Sequence, residues 1–129
     1  MPHLRIEYSA GLESHADMAE LCQVAYQAML KTGIFPKAGV RVRAYKADYA
    51  IVGDGLIENN FAALALSVGA GRSTEQLKSA GDEIFAAVSE TLAQLLATTH
   101  FALSLEIRVI NPDLSWKDTP IHARLSGQN

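Results

Sequence analysis

The amino-acid sequence predicts an α+β fold in which two β-α-β units, side by side, form a four-stranded sheet with two long helices on one face. Strand-like alternation and helical periodicity follow each other twice in the order strand, long helix, strand. The right-handed crossover of such units places each helix on the same face of the sheet. With 129 residues, 49% hydrophobic and 19% charged, the chain is expected to be one ordered domain spanning 1–129.

The first unit begins almost at the N-terminus. Apolar and polar side chains alternate through Pro2–Ser9, which predicts a half-buried strand. Ser14–Asp17 has the form of a capping box and predicts the start of a helix, whose periodic apolar residues continue to the stop signal Thr32-Gly33. Alternation returns in Val40–Tyr45, the predicted second strand. In the following segment, 46–60, Ala50–Val52 could extend a strand and Gly53-Asp54-Gly55 indicates a turn.

The second unit repeats this order. Phe61–Val68 is a dense apolar run typical of a central strand. Ser73–Gln76 is a capping box that opens a long helix, which is expected to end near Thr99. Leu103–Val109 alternates again and predicts the last strand, and a polar tail follows it. Because the central strand is apolar on both sides and the helices cover only one face, we expect other subunits to cover the second face.

Charge and composition exclude several classes of function. The net charge of −3 and the sequence pI near 5.7 give no whole-chain attraction to nucleic acid or to an anionic membrane, so neither is expected as a partner. The N-terminal segment lacks the apolar stretch of a signal peptide, and no apolar run reaches membrane-spanning length. These features predict a soluble cytoplasmic protein.

No metal or nucleotide cofactor is expected either. Cys22 is the only cysteine, which excludes an internal disulfide and a multi-cysteine metal site. The four histidines have no metal-ligand spacing. Gly69-Ala70-Gly71 lacks both the lysine of a phosphate-binding loop and the full dinucleotide fingerprint.

Pro2 is the first candidate for chemistry. The initiator methionine is generally removed before a small residue such as proline, and its removal leaves Pro2 with a free secondary amine. An α-amino group titrates at about pH 8, and burial beside cations lowers that pKa, which can produce a base that is neutral at pH 7. On position alone, a proline that merely begins a strand is the simpler interpretation.

Three arginines are candidate anion-binding residues. Arg41 and Arg43 lie two positions apart in a predicted strand and therefore share one face. Arg72 follows a Gly-Ala-Gly turn at a predicted helix N-terminus, where backbone N–H groups favour anions and an arginine can bind a carboxylate through two hydrogen bonds. Taken singly, each arginine is explained equally well by an exposed polar face or an ordinary capping turn.

In their order and spacing, these motifs resemble a known family over nearly the whole chain. The resemblance is carried by Pro2-His3, Thr32–Pro36, Ala38–Arg43, Gly69–Ser73, Ser104–Ile107 and Ile121–Ala123. Together they are similar to the 5-carboxymethyl-2-hydroxymuconate Δ-isomerases of the tautomerase superfamily. The resemblance implies tautomerase-like tandem β-α-β units and a homotrimer.

The resemblance also implies a reaction and a role for each candidate residue. The substrate would be a linear unsaturated polycarboxylate bearing an enol, isomerised to its conjugated ketone during 4-hydroxyphenylacetate (homoprotocatechuate) degradation. Carried over by position, Pro2 would be the acid and base, Arg41 and Arg72 would hold carboxylate or enolate oxygens, and Arg43 would have a supporting role. This agrees with the chemistry, because ketonisation needs one group that alternates between base and acid, cations at the developing charge, and no cofactor.

Two alternatives remain open at the level of sequence. One keeps the fold and Pro2 but changes the reaction to that of a dehalogenase or decarboxylase of the same superfamily. The other is a non-catalytic ligand-binding module with a ferredoxin-like sheet. The catalytic interpretations require that Met1 is removed, because with Met1 in place the Pro2 nitrogen is an amide without a basic lone pair.

Overall fold

The structure, a computed structural model, describes residues 1–126 and contains one four-stranded sheet. The strands are β1 His3–Ser9, β2 Arg41–Ala47, β3 Asn60–Val68 and β4 Phe101–Val109. The helices are α1 Met18–Lys31, α2 Thr74–Thr91, α3 Ala93–Leu96 and α4 Pro120–Ser126, with short 3₁₀ turns at 10–14, 37–39 and 112–114. The strand order in the sheet is β2-β1-β3-β4.

Each half of the chain forms a parallel β-α-β unit. β1 pairs in parallel with β2, and β3 in parallel with β4, whereas the two units meet through the antiparallel pair β1–β3. The predicted α+β fold with tandem β-α-β units is therefore confirmed. The ferredoxin-like alternative is wrong, because in that split arrangement a strand of the other unit separates the two parallel strands, and here they are direct neighbours.

The register of the sheet separates an apolar face from a more polar one. Leu4 and Ile6 of β1 are fully buried and lie opposite Leu66 and Leu64 of β3 in the antiparallel pair. α1 and α2 contact each other and contribute to the same buried cluster, so both long helices pack on this face as predicted. The alternate positions of each strand point to the opposite face, which remains open in the single chain.

The first helix begins three residues later than the sequence predicts. Ser14 does not cap it, because residues 10–14 form a 3₁₀ turn that buries Leu12, and the next two N–H groups bond to the Leu12 carbonyl. Asp17 is the N-cap, and its carboxylate accepts hydrogen bonds from two first-turn N–H groups at 3.0 and 3.1 Å. The helix ends at Thr32-Gly33 as predicted, with Gly33 at φ 75°.

The second helix begins as predicted but ends earlier. Ser73 and Gln76 form a complete capping box: Ser73 Oγ accepts from the Gln76 N–H at 3.1 Å, and Gln76 Oε1 accepts from the Ser73 N–H at 2.9 Å. Leu92, at φ −103° and ψ 21°, leaves the helical conformation and is buried, and α3 follows as a separate turn. The continuous helix to about Thr99 is therefore wrong, since the apolar periodicity continues through the break and nothing in the sequence marks it.

The segment between β2 and β3 is a loop that is held by turns. The predicted turn at 53–55 is confirmed, with Gly53 at φ 61° and Gly55 at φ 84°. Asn59 Nδ2 donates to the Val52 carbonyl at 2.9 Å and to the Asp54 carboxylate at 2.6 Å. The interpretation of 50–52 as a strand is wrong, because these turns direct the loop away from the sheet after β2.

Replacing Asp17 with alanine is expected to lower the free energy of unfolding by about 1 kcal/mol, because two N–H groups of α1 lose their acceptor. Ser14→Ala is the matched control: Ser14 is exposed and outside the helix, so its change should stay within about 0.5 kcal/mol. Urea denaturation followed by circular dichroism measures both. A larger loss for Ser14→Ala than for Asp17→Ala would contradict the capping geometry.

Candidate active site

Pro2 lies at the start of β1 and is tightly enclosed. Its side chain is fully buried, and its carbonyl accepts a hydrogen bond from the Arg41 N–H at 3.0 Å. Gly39 passes so close that a Cβ on it would lie 3.1 Å from Pro2 Cδ. The pyrrolidine ring is therefore fixed by the first pairing of β1 with β2 and by the turn that precedes β2.

Met1 occupies the space beside the Pro2 nitrogen. Its Sδ lies 3.7 Å from Arg41 Nη1, and a Cβ on Gly69 would lie 3.6 Å from its amino nitrogen. Burial, followed by the positive charges of Lys117, Arg72 and Arg41, lowers the pKa of this amino group below its ordinary value. Pro2 is itself fully buried and its carbonyl bonds to the Arg41 N–H, so a free Pro2 amine would also experience burial and the positive charge of Arg41.

A cavity of about 290 Å³ opens at this end of the sheet. It is lined by Met1 and His3 at the start of β1, Gly69-Ala70 after β3, and the tail segment that includes Trp116 and Lys117. Removal of Met1 would extend the cavity to the Pro2 nitrogen. The carboxyl end of β3 and the tail that follows β4 thus border a cavity whose candidate base, Pro2, is at the amino end of β1.

A larger cavity, of about 550 Å³, lies elsewhere, on the open face of the sheet. Charged side chains line it, among them Arg5, Glu7, Glu106 and Arg108. It does not include Pro2 or the other candidate residues. We assign it to the face that the sequence predicts other subunits to cover.

Arg41 lies directly beside the candidate base. In the parallel pair β1–β2 it is the register partner of His3. Its Nη1 donates to the Gly39 carbonyl at 3.2 Å, which holds the guanidinium against the turn that encloses Pro2. The expected proximity of Arg41 and Pro2 is therefore present in the structure.

Arg43 shares the open face with Arg41, as predicted, but lies two register positions further along β2. Its register partner is Arg5, and it does not line the cavity beside Met1. Burial and the charges of Arg41, Arg43 and the N-terminus lower the pKa of His3, which favours a neutral imidazole at this end of β1. The structure thus gives Arg43 an electrostatic influence on the site and no direct place in the cavity.

Arg72 is held by two backbone carbonyls and one aromatic ring. Its Nε donates to the Ile34 carbonyl at 3.1 Å, its Nη1 lies 3.5 Å from the Gly69 carbonyl, and its guanidinium carbon lies 4.9 Å from the centre of the Phe35 ring. Within residues 1–126, the ion pairs are Lys46–Glu13 and Arg108–Glu106, so no carboxylate neutralises Arg72. The remaining N–H groups of the Arg72 guanidinium are therefore available to an anionic ligand.

The second β-α-β unit has no corresponding amine. Asn60, at the start of β3, is a buried residue inside the chain, and its N–H donates to the His100 carbonyl at 2.9 Å. Ser9 Oγ donates to Asn60 Oδ1 at 2.7 Å and accepts from the Phe61 N–H at 3.0 Å. The backbone and amide groups at the start of β3 are therefore hydrogen-bonded and carry no free amine. Pro2 remains as the candidate base of the chain.

Lys117 is the residue of the site that sequence reasoning did not identify. It lines the cavity, and it is the charge with the largest effect on the N-terminal amine. A lone lysine in a polar tail carries no motif or periodicity, and only the return of the tail across the start of β1 reveals it. The charges of Lys117, Arg72 and Arg41 thus all act on the N-terminal amine beside Pro2, although of the three only Lys117 lines the cavity.

Comparison with known proteins gives consistent results. The family model described as 5-carboxymethyl-2-hydroxymuconate isomerase matches residues 2–125. The 5-carboxymethyl-2-hydroxymuconate Delta-isomerase of Escherichia coli is 34% identical over 123 residues, which are 95% of this chain and 98% of that protein.

Solved structures support the same relationship. A 5-carboxymethyl-2-hydroxymuconate isomerase from Deinococcus radiodurans R1 has 36% identity and a TM-score of 0.87, over 96% of this chain and 93% of that one. Another 5-carboxymethyl-2-hydroxymuconate delta-isomerase has 33% identity and a TM-score of 0.88, over 97% and 93%. A fused 4-OT symmetric trimer, 18% identical with a TM-score of 0.64 over 94% and 98%, shares the fold. The chain therefore belongs to the 5-carboxymethyl-2-hydroxymuconate isomerase family.

Proposed function

We propose that the mature chain is a cofactor-independent, tautomerase-type isomerase that converts 5-carboxymethyl-2-hydroxymuconate, a dienol, into its conjugated keto isomer. The observation that carries this proposal is the burial of Pro2 at the start of β1, beside Arg41 and next to the Met1 amine, whose pKa the charge of Arg72 lowers. Membership in a family of that name supports the choice of reaction. The proposed place of the reaction is the degradation of 4-hydroxyphenylacetate through homoprotocatechuate.

In the proposed mechanism Pro2 moves a proton from oxygen to carbon. Its neutral secondary amine accepts the proton of the 2-hydroxyl group, C2–O becomes a carbonyl, and the C2–C3 double bond moves to C3–C4. The Pro2 ammonium then donates its proton to C5, where the electron pair of the C4–C5 double bond forms the new C–H bond, and the amine is neutral again. One group therefore serves as base and then as acid, which requires a pKa near the working pH.

The arginines would stabilise the charge that this transfer creates. Arg41 and Arg72 are both without a carboxylate partner within the described residues, and a guanidinium can hold a carboxylate through two parallel hydrogen bonds. In the proposal they hold substrate carboxylates or the developing enolate oxygen, where fixed donors lower the barrier. Arg43, further along β2, supports the positive potential of the site.

We also propose that the protein works as a homotrimer. The open face of the sheet lacks a cover in the single chain, and three apolar side chains of the 48–59 loop, Tyr49, Ile51 and Ile57, are more than 90% exposed. Exposed apolar surface of this kind is typical of interfaces between subunits. The trimeric assembly of the fused 4-OT structure supports the number three.

Neither a membrane nor a nucleic acid enters the proposal. In residues 1–126 no helix has the length and apolarity required to cross a bilayer. The net charge of −3 gives no general attraction to nucleic acid. The cytoplasmic location expected from the sequence stays a prediction, which fractionation of the source cells would test.

Pro2→Ala in the mature enzyme is expected to lower kcat by roughly a hundredfold or more, because a flexible primary amine replaces the rigid secondary amine. Alanine is also small enough to permit removal of Met1, so both proteins can be compared after mass spectrometry has established their N-termini. Ketonisation of the dienol, followed by its ultraviolet absorbance, measures the rate. Equal rates for the two mature proteins would contradict a catalytic role for Pro2, and full activity of protein that retains Met1 would do the same.

Arg72→Gln is expected to change both the rate and its pH dependence. Loss of the cation should lower kcat/KM by about 10- to 100-fold. Positive charge, including that of Arg72, lowers the pKa of the Met1 amine, and we expect the same influence on the free Pro2 amine. Removal of the charge should therefore raise the pKa of Pro2 and move the acid limb of the kcat/KM profile to higher pH. Lys78→Gln removes an exposed charge on α2 and is the matched control; a profile that is the same for all three proteins would exclude the proposed influence of Arg72.

A further inference from the structure

We propose that Lys117 is a third substrate-binding cation, which holds a carboxylate of the substrate in the cavity beside Met1. This inference rests on the proposed function and extends it to a residue in the tail. It is carried by the position of the tail, the charges around Met1 and the charge of the substrate.

The tail is fixed on both sides of Lys117. Before it, the Ile110 N–H donates to the Val68 carbonyl at 2.8 Å, and Asn111 begins the 3₁₀ turn at 112–114 by accepting from the Asp113 N–H at 3.0 Å. After it, α4 packs against the 37–39 turn, which contains the glycine that encloses Pro2. The segment that carries Lys117 therefore crosses the cavity between two anchored points.

Lys117 faces the same space as the N-terminus. It lines the cavity with Met1, His3 and Gly69-Ala70. Its charge acts on the Met1 amine together with those of Arg72 and Arg41. Its sequence neighbour Asp118 does not form an ion pair with it, and neither does any other carboxylate of the described chain. The ammonium is exposed in the single chain and available to an anion.

The substrate carries more carboxylates than the two arginines can pair. 5-Carboxymethyl-2-hydroxymuconate has a carboxylate at each end of the muconate chain and a further one on the carboxymethyl group. Arg41 and Arg72 can neutralise two of the three, and one of them also has to face the developing enolate. Lys117 supplies the positive charge that is missing, as a mobile ammonium on a long stem that can reach a carboxylate of variable position.

The first test is steady-state kinetics of mature Lys117→Gln, Lys117→Arg and the control Lys78→Gln. For Lys117→Gln we expect KM to rise about tenfold with a smaller change in kcat, since the interaction serves mainly binding. Lys117→Arg should recover most of the affinity, and Lys78→Gln should match the parent. A KM for Lys117→Gln within twofold of an active parent would overturn the inference while leaving the proposed isomerase intact.

The second test does not depend on turnover. Tricarballylate, a saturated tricarboxylate that cannot be isomerised, should bind the mature protein, with a Kd about tenfold higher for Lys117→Gln than for the parent or Lys78→Gln. In protein labelled with ¹⁵N-proline, the titration of the Pro2 amine should move to higher pH in Lys117→Gln, because a cation is lost. Equal Kd values for the three proteins, or an absence of binding to the parent, would overturn the inference. A parent that binds tricarballylate but fails to ketonise the dienol would refute the proposed function alone.

Discussion

The pairing of β1 with strands on both sides is the constraint on which the rest of the structure depends. Because β1 bonds in parallel to β2 and antiparallel to β3, the first residues of the chain lie in the middle of the sheet. Chain termini are ordinarily poorly ordered unless they are tied down in this way. Here the central strand begins at His3, so the residue before it has a defined position and a defined set of neighbours. An N-terminal amine at Pro2 would therefore have fixed neighbours, which the proposed proton transfer needs.

The same pairing sets the electrostatics of the site. Parallel alignment of β1 and β2 places Arg41 opposite His3, and antiparallel alignment with β3 brings the turn after Val68, with Gly69 and Arg72, to the same end. A protein with a net charge of −3 thereby concentrates positive charge around one amine. Burial and neighbouring cations both disfavour the protonated amine, so they lower its pKa together. In the proposed function, the cations that would bind a polycarboxylate are therefore the same ones that would favour a neutral amine.

The two β-α-β units differ at the start of their first strands. In the first unit the residue before β1, Pro2, can become a chain end, whereas β3 begins inside the chain at Asn60, whose side chain accepts a hydrogen bond from Ser9. A peptide nitrogen in mid-chain cannot act as a base, and the buried space around Asn60 is filled: a Cβ on Gly11 would lie 2.8 Å from Asn60 Oδ1. The start of the first unit therefore contains the candidate active site, whereas the start of the second unit is filled by packed, hydrogen-bonded side chains.

The sequence by itself determined the order of strands and helices, because alternation, helical periodicity and the capping box at Ser73 are local signals. It also indicated Pro2, Arg41 and Arg72, although only through motifs that are weak singly. Tertiary structure decided where α1 begins, since burial of Leu12 in a 3₁₀ turn moves the cap to Asp17, and where α2 breaks at Leu92. Only the tertiary structure places Lys117 in the cavity beside Met1. The sequence around a single lysine in a polar tail does not indicate which residues will lie next to it in the folded chain.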